Sequence, residues 1–213
     1  MTTVIMVRHG ESEANRNNVF AGHFDADLQD RGLLQANKTA EFVAANYKID
    51  KIYASDLKRA FKTGKAVADR LGIEPIPDCR LREISAGKWE GMRFDDIMAT
   101  YTEAYTVWRT DLGNARCTDG ESTRELGERI LSALSEIAEQ NDGKTVLIAT
   151  HATPVRAMQT YCTFGDFGKM QEIKWVSNAS VSEFFYENGK FTCGKIGQDE
   201  HLKDLCTVLS ANV

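Results

Sequence analysis

Two short apolar runs in this 213-residue chain end on groups that attract anions. Val4-Ile5-Met6-Val7 leads into Arg8-His9-Gly10-Glu11, and Thr145-Val146-Leu147-Ile148-Ala149-Thr150 leads into His151-Ala152. A third run, Lys51-Ile52-Tyr53-Ala54-Ser55, is followed by Asp56-Leu57-Lys58-Arg59. Packing gives no reason to place arginines and histidines there. A phosphoryl group does: guanidinium forks match its oxygens bidentately, and the backbone N–H groups of Ala152 and Thr153, at a helix start, add donors. A histidine beside such a group can act as nucleophile, because imidazole, with a reference pKa near ~6.5, keeps a lone pair at neutral pH. The departing alcohol then needs a proton. Leu81-Arg82-Glu83-Ile84 supplies a carboxylate, and the loop Gly87-Lys88-Trp89-Glu90-Gly91 can turn it into a cleft. Glu83 is the expected general acid, and later the base that activates water.

Those groups must be placed by a scaffold, and periodicity predicts one. Continuous apolar runs of this length suit parallel strands buried on both faces. Ligands of such sheets bind beyond the carboxyl ends of the strands, which is where the charged groups fall. Val181 to Tyr186 and Lys190 to Ile196 flank Glu187-Asn188-Gly189, a hairpin signal. Leu33, Ala36, Ala40, Val43 and Tyr47 keep helical spacing, as do Leu57, Phe61, Gly64, Ala68 and Leu71, with Gly72 as a stop. Ser55, Arg59 and Thr63 are expected on that second helix as a polar stripe. Leu126, Ile130, Leu134 and Ile137 form a third helix behind the capping box Ser122-x-x-Glu125. Pro154 marks the first turn of a fourth. Alternating strands and helices predict an α/β fold: a three-layer α/β/α sandwich with a mainly parallel central sheet, an antiparallel edge strand and a small helical cap. Residues 1–213 are read as one domain, with residues 92–120 as a cap inserted over the cleft.

Composition narrows the partners. A net charge of −5 argues against a broad nucleic-acid-binding face but leaves room for a local cationic pocket. Cysteines at 79, 117, 162, 193 and 206 form no C-x-x-C pair, so reduced, structural thiols are expected. MTTVIMVRHG has neither a basic n-region nor a long apolar h-region, and no stretch approaches the roughly 18 apolar residues of a membrane span. A cytoplasmic protein without membrane contact is expected, and a homodimer stays open. His9, Glu11 and His151 could be imagined around a metal, but no H-E-x-x-H pattern exists and Arg8 would repel a cation, so no metal is expected.

The ordered set of motifs resembles the histidine phosphatase superfamily, in its phosphoglycerate-mutase-like branch. The resemblance rests on Arg8-His9-Gly10-Glu11 with Asn15, Gly22-x-x-Asp25-x-x-Leu28, Gly32 and Ala36. It continues through Ser55-Asp56-Leu57-x-Arg59-Ala60-x-x-Thr63, Leu81-x-Glu83-Ile84, Gly87-x-Trp89-Glu90-Gly91, Gly120-Glu121-Ser122 and His151-Ala152-x-x-x-Arg156. It implies His9 as the phosphate-accepting nucleophile, with Arg8, Arg59 and His151 holding the phosphoryl oxygens. It also implies Asn15 on the phosphate, Glu83 as proton donor, and no cofactor or metal. The substrate would be a small phosphorylated metabolite.

That family divides into mutases and phosphatases. Cofactor-dependent phosphoglycerate mutases carry an arginine after the acidic residue and an Arg-Arg pair before a proline run. This chain has Ile84 there and no Arg-Arg pair. Hydrolysis is therefore the expected reaction. A cofactor-dependent phosphoglycerate mutase is the alternative, and a non-catalytic phosphate-ester-binding member is the second alternative. Phe94, Tyr101, Tyr105, Trp108, Arg109 and Arg116 are the expected specificity residues. Arg16, Gly22 and His23 are expected near the substrate, although His23 and His201 also fit surface positions. Glu11 is read as a turn residue, and Ser55 and Thr63 as helix-end hydrogen bonders.

Overall fold

The computed structural model describes residues 1–207. In chain order the elements are β1 (Thr2–Arg8), α1 (Glu13–Arg16), α2 (Asp30–Asn46), β2 (Lys51–Ala54), α3 (Lys58–Leu71) and β3 (Pro75–Pro77). Then follow α4 (Phe94–Thr100), α5 (Thr102–Thr110), α6 (Thr123–Glu139), β4 (Thr145–Thr150), α7 (Ala152–Phe164), β5 (Val181–Glu187) and β6 (Lys190–Cys193).

One sheet of six strands runs in the order β3-β2-β4-β1-β5-β6. β1, β4, β2 and β3 are mutually parallel, and β5 and β6 add an antiparallel edge. The central strands are apolar on both sides because both sides are covered. Val4, Met6, Val146 and Ile148 point into a cluster with Leu126, Ile130 and Leu134 of α6 and Val155 and Met158 of α7. Ile5, Val7, Leu147 and Ala149 point the other way, against Ala40 and Val43 of α2 and Val67 and Ala68 of α3. Each such fully buried aliphatic side chain is worth about 1.5–3 kcal/mol, which holds the three layers together.

Local signals decide the ends. Ser122 caps α6 by accepting from Glu125 N, and the Glu125 side chain returns the bond to the Ser122 backbone. Asn188 and Gly189 take φ of 51° and 78°, the left-handed pair that a two-residue hairpin requires. Pro154 sits in the first turn of α7, as expected.

Other expectations need correction. Ser55 lies in the loop before α3, whose first helical residue is Lys58, so the Ser55-Arg59-Thr63 stripe is not one helix face. On α2, Leu33 is 43% exposed, and Gly32, Gln35, Ala36 and Thr39 face the core instead. β6 ends at Cys193, short of Ile196. β3 was not anticipated, since prolines argue against strands; it is an edge strand paired only to β2, where a missing N–H costs little. His201 is partly buried near the surface and stacks on Phe42, with ring centroids 4.6 Å apart.

Residues 92–120 carry α4 and α5. Ile97, Tyr105 and Trp108 from this stretch belong to the same buried cluster as Val4 and Val146. Phe20 meets Trp108 and Trp89 edge-on, at 5.0 and 5.6 Å. No described helix is long and apolar enough to cross a membrane. All five cysteines are free.

Candidate active site

Strand register brings the two histidines together. Arg8 of β1 pairs with Thr150 of β4, so the next residues, His9 and His151, leave adjacent strand ends. Their ring centroids are 5.2 Å apart, edge to face. His9 N donates to Thr150 O, and Ala179 N and Asn178 Nδ2 donate to His9 O, which fixes its backbone. Gly10 allows the turn to seat: a Cβ there would lie 2.4 Å from Gly32 O, and one on Gly32 would lie 2.1 Å from Glu11 O. The loop after β1 thus rests backbone to backbone on the first turn of α2, and Gly10 N donates to Thr63 Oγ1 of α3.

The protonation of His9 follows from a single contact. His9 Nδ1 is 2.7 Å from Gly10 O, and a carbonyl can only accept. Nδ1 therefore carries the proton in the neutral ring, and Nε2 keeps the lone pair. Burial, with Arg59 and Arg8 nearby, holds the His9 pKa well below its ordinary value. His151 is depressed too, by burial and then Arg59 and His9. It is fully buried, with Nε2 2.8 Å from Ser55 Oγ.

Both arginines are buried and held by carbonyls rather than carboxylates. Arg8 Nη1 donates to Val176 O. Arg59 donates to Gly22 O at 2.7 Å and to Phe24 O at 3.0 Å. Gly22 has φ of +50°, and a Cβ on it would lie 2.5 Å from that of Ala86, so glycine is needed to present this carbonyl. Burial lowers the Arg8 pKa to about 10, and Arg59 shifts the same way for the same reason. Arg8 Nε and Arg59 Nε are buried without a hydrogen-bond partner among the described residues. Unpaired buried donors on two cations are costly, and an anion bridging the guanidinium groups would offset that cost.

Glu83 faces the same pocket. Its Oε1 accepts from Ile84 N at 2.8 Å and its Oε2 from Thr153 N at 3.3 Å. The Thr153 N–H is thus committed to Glu83, not held ready for phosphate as expected. Arg129 of α6 locks the short 3-10 turn and loop that carry Glu83: it donates to the carbonyls of Arg80, Arg82 and Glu83 and grips Glu121 through two nitrogens. Glu121 in turn accepts from Ser85 N.

The pocket is a cleft open to solvent, with about 580 Å³ of empty space when its solvent-open part is included. Arg8, His9, Asn15, Gly22, Arg59, Glu83 and Ala152 are brought together around it. Three donors, Ser12 N, Ser12 Oγ and Asn178 Nδ2, hold Asn15 Oδ1, an orientation that leaves its NH2 group as the end for a ligand. Arg16 is not brought in; it is exposed and donates to Gln29 Oε1. His23 does not line the pocket either; its Nε2 bonds the backbone oxygen of Glu83 at 2.9 Å. Of the cap residues, Phe94 and Trp108 line the pocket, whereas Tyr101, Tyr105 and Arg109 do not, and Arg116 pairs with Glu125 at the surface. Glu11 accepts from Thr207 and stands 3.7 Å from Arg31, outside the lining. Sequence reasoning missed Trp175, which enters from the segment after α7 and carries no motif. It also missed Arg129, which a basic residue on the inner side of α6 could have flagged. Among the described residues no group of three or more His, Cys, Asp or Glu side chains comes together around a metal position.

An α/β sandwich with buried arginines, paired neutral histidines and a carboxylate beyond its parallel strand ends is a scaffold for phosphate esters. The sequence profile of the histidine phosphatase superfamily, branch 1, matches residues 4–199. Phosphoserine phosphatase 1 of Hydrogenobacter thermophilus is 34% identical over 202 residues, covering 95% of both chains. Phosphoglycerate mutase-like protein 4 of Arabidopsis thaliana is 31% identical over 206 residues, 94% of this chain and 87% of that one. The solved structure of Bacillus stearothermophilus YhfR is 27% identical and superposes with a TM-score of 0.89 over 95% of this chain and 100% of that one. The chain belongs to the histidine phosphatase superfamily, branch 1.

Proposed function

We propose that this chain is a metal-independent phosphomonoesterase that hydrolyses a small phosphorylated metabolite through a covalent phosphohistidine on His9. The observation that carries this reading is the 2.7 Å contact between His9 Nδ1 and Gly10 O, which leaves Nε2 as a free lone pair beside two buried guanidinium groups. In the first step Nε2 attacks phosphorus, the ester P–O bond breaks, and Glu83 gives its proton to the leaving oxygen. Gly10 O continues to accept from Nδ1–H while the ring carries positive charge. In the second step water loses a proton to Glu83 and attacks phosphorus. The P–N bond breaks, and His9 returns neutral.

The other site residues divide the remaining work. Arg8 and Arg59 hold the phosphoryl oxygens and stabilise the charge that develops on them. Asn15 adds its NH2 group. Gly22 acts through Arg59, and His151, which the family resemblance puts on the phosphoryl oxygens, lies outside the pocket lining and bears edge to face on the His9 ring instead. The mutase reading is not favoured: Ile84 follows Glu83, and Arg8 and Arg59 are the arginines that line the pocket among the described residues. A non-catalytic reading has no broken position to support it.

Turnover of p-nitrophenyl phosphate in EDTA, followed by alkaline quench after a labelled substrate, tests the mechanism. Activity should survive chelation, and label should appear as an acid-labile, base-stable adduct on the peptide containing His9. Loss of activity in EDTA, or equal labelling in His9→Asn, would overturn it.

A further inference from the structure

The phosphatase reading leaves the leaving group unspecified, and the far side of the pocket is informative about it. The lining sorts by chemistry. Arg8, His9, Asn15, Arg59 and Glu83 supply polar groups for the reacting atoms. Val19, Phe20, Phe94, Trp108 and Trp175 supply its large apolar side chains, beside the small residues Ser12, Ala21, Gly22, Ala152 and Thr153. No lysine lines the pocket among the described residues, and residues 208–213 contain no basic side chain. The two lining arginines are already committed to carbonyls and to the phosphoryl end.

Trp175 is more than a loose side chain on a loop. The Arg156 guanidinium lies 4.2 Å from its ring centroid. Arg156 is itself 5% exposed, donates through Nε to Met170 O at 3.0 Å, and has its pKa lowered to about 10 by burial. A desolvated cation stacked on one ring face makes a stronger cation–π contact than a solvated one. It fixes the indole as a flat wall. Elsewhere in the lining Phe20 meets Trp108 and Phe94 edge-on, at 5.0 and 5.7 Å.

We propose that this apolar half of the pocket selects phosphomonoesters of uncharged alcohols with an apolar or aromatic body, with Trp175, braced by Arg156, as a specificity-determining residue. This rests on the phosphatase reading above. It sets the chain apart from an enzyme for phosphoserine or phosphoglycerate, whose carboxylates would find no fixed cation here.

The test compares 2-phenylethyl phosphate with serine phosphate and 3-phosphoglycerate as substrates of the unaltered chain. All are alkyl phosphates, so differences in kcat/KM report recognition rather than bond strength. The expected result is at least a tenfold higher kcat/KM for 2-phenylethyl phosphate, residing mainly in KM. Trp175→Ala should bring that ratio toward one, and Trp175→Phe should restore most of it. Serine phosphate or 3-phosphoglycerate preferred by the unaltered chain would overturn the inference and leave the phosphatase reading standing. Equal losses on all three esters in Trp175→Ala would also overturn it, as a merely structural role. Phosphate release from none of them would overturn both readings. Should Trp175→Ala fail to fold, the substrate panel on the unaltered chain decides alone.

Discussion

The rings of His9 and His151 meet edge to face, with centroids 5.2 Å apart and planes inclined at 64°. They directly follow adjacent parallel strands, both are buried, and burial, with Arg59 nearby, holds both below their ordinary pKa. Two imidazolium ions cannot coexist there with two buried guanidinium groups. The site is therefore built around a neutral pair of histidines, ready at neutral pH.

The pH dependence follows. Unfolded histidine titrates near ~6.5, and both folded values lie lower, so below pH 6.5 the unfolded chain binds more protons than the folded one. Stability is full above pH 6.5 and falls as the pH drops toward the folded pKa values, by up to about 1.4 kcal/mol per pH unit for each histidine. Urea midpoints between pH 8 and pH 5 should show this slope, and His151→Gln should flatten it. In the same range the acidic limb of kcat/KM assigned to His9 should lie below pH 6.5. A limb at or above 6.5 would contradict a neutral nucleophile.

Glu83→Gln keeps the size of the side chain but removes its ability to give and take a proton. Hydrolysis of alkyl phosphates should drop by ~10²–10⁴, whereas p-nitrophenyl phosphate, whose leaving group needs no proton, should lose far less in the first step. The measurement is kcat/KM against leaving-group pKa. An unchanged slope would remove Glu83 as the acid.

Arg129 acts at one remove. Its guanidinium donates to three carbonyls, those of Arg80, Arg82 and Glu83, and pairs with Glu121, whose side chain is 15% exposed. Arg129→Met leaves those acceptors and a nearly buried carboxylate unpaired, at a cost of about 2–4 kcal/mol. Arg129→Met with Glu121→Gln should recover part of the stability. A lower kcat on alkyl phosphates with KM little changed should remain in the double variant, since Glu83 stays loosely held. Equal kcat for single, double and unaltered chains would limit Arg129 to stability.

Gly32→Ala probes the seat of the loop that carries His9. The added Cβ would lie 2.1 Å from Glu11 O, which is backbone and cannot swing away. Either the helix or the loop must move, costing about 1–3 kcal/mol. Because the displaced loop carries His9, kcat should fall in the folded fraction as well. A melting temperature and kcat both within error of the unaltered chain would show that the approach is relaxed elsewhere.

The chemistry was legible in the sequence where it is local. Apolar runs gave the strands, since side chains alternate and both faces are covered. The capping box placed the start of α6, and Asn188-Gly189 placed the hairpin, because each depends on neighbours within a turn. Arg8 and His9 stood out because cationic groups at a strand end have no packing role, and Arg59 and Glu83 because each sits in a short motif of its own.

Tertiary structure decided the rest. Only the strand order, with β4 between β1 and β2, makes His9 and His151 neighbours across more than a hundred residues. Arg16 is adjacent to the motif yet points out to Gln29, and Thr153 gives its N–H to Glu83, because competing partners are settled by distant segments. Trp175 has no spacing signal at all; Arg156 and the fold of the chain after α7 carry it to the pocket. Periodicity reports which face of an element is buried, but not which element covers it, and the composition of a pocket wall depends on that second fact.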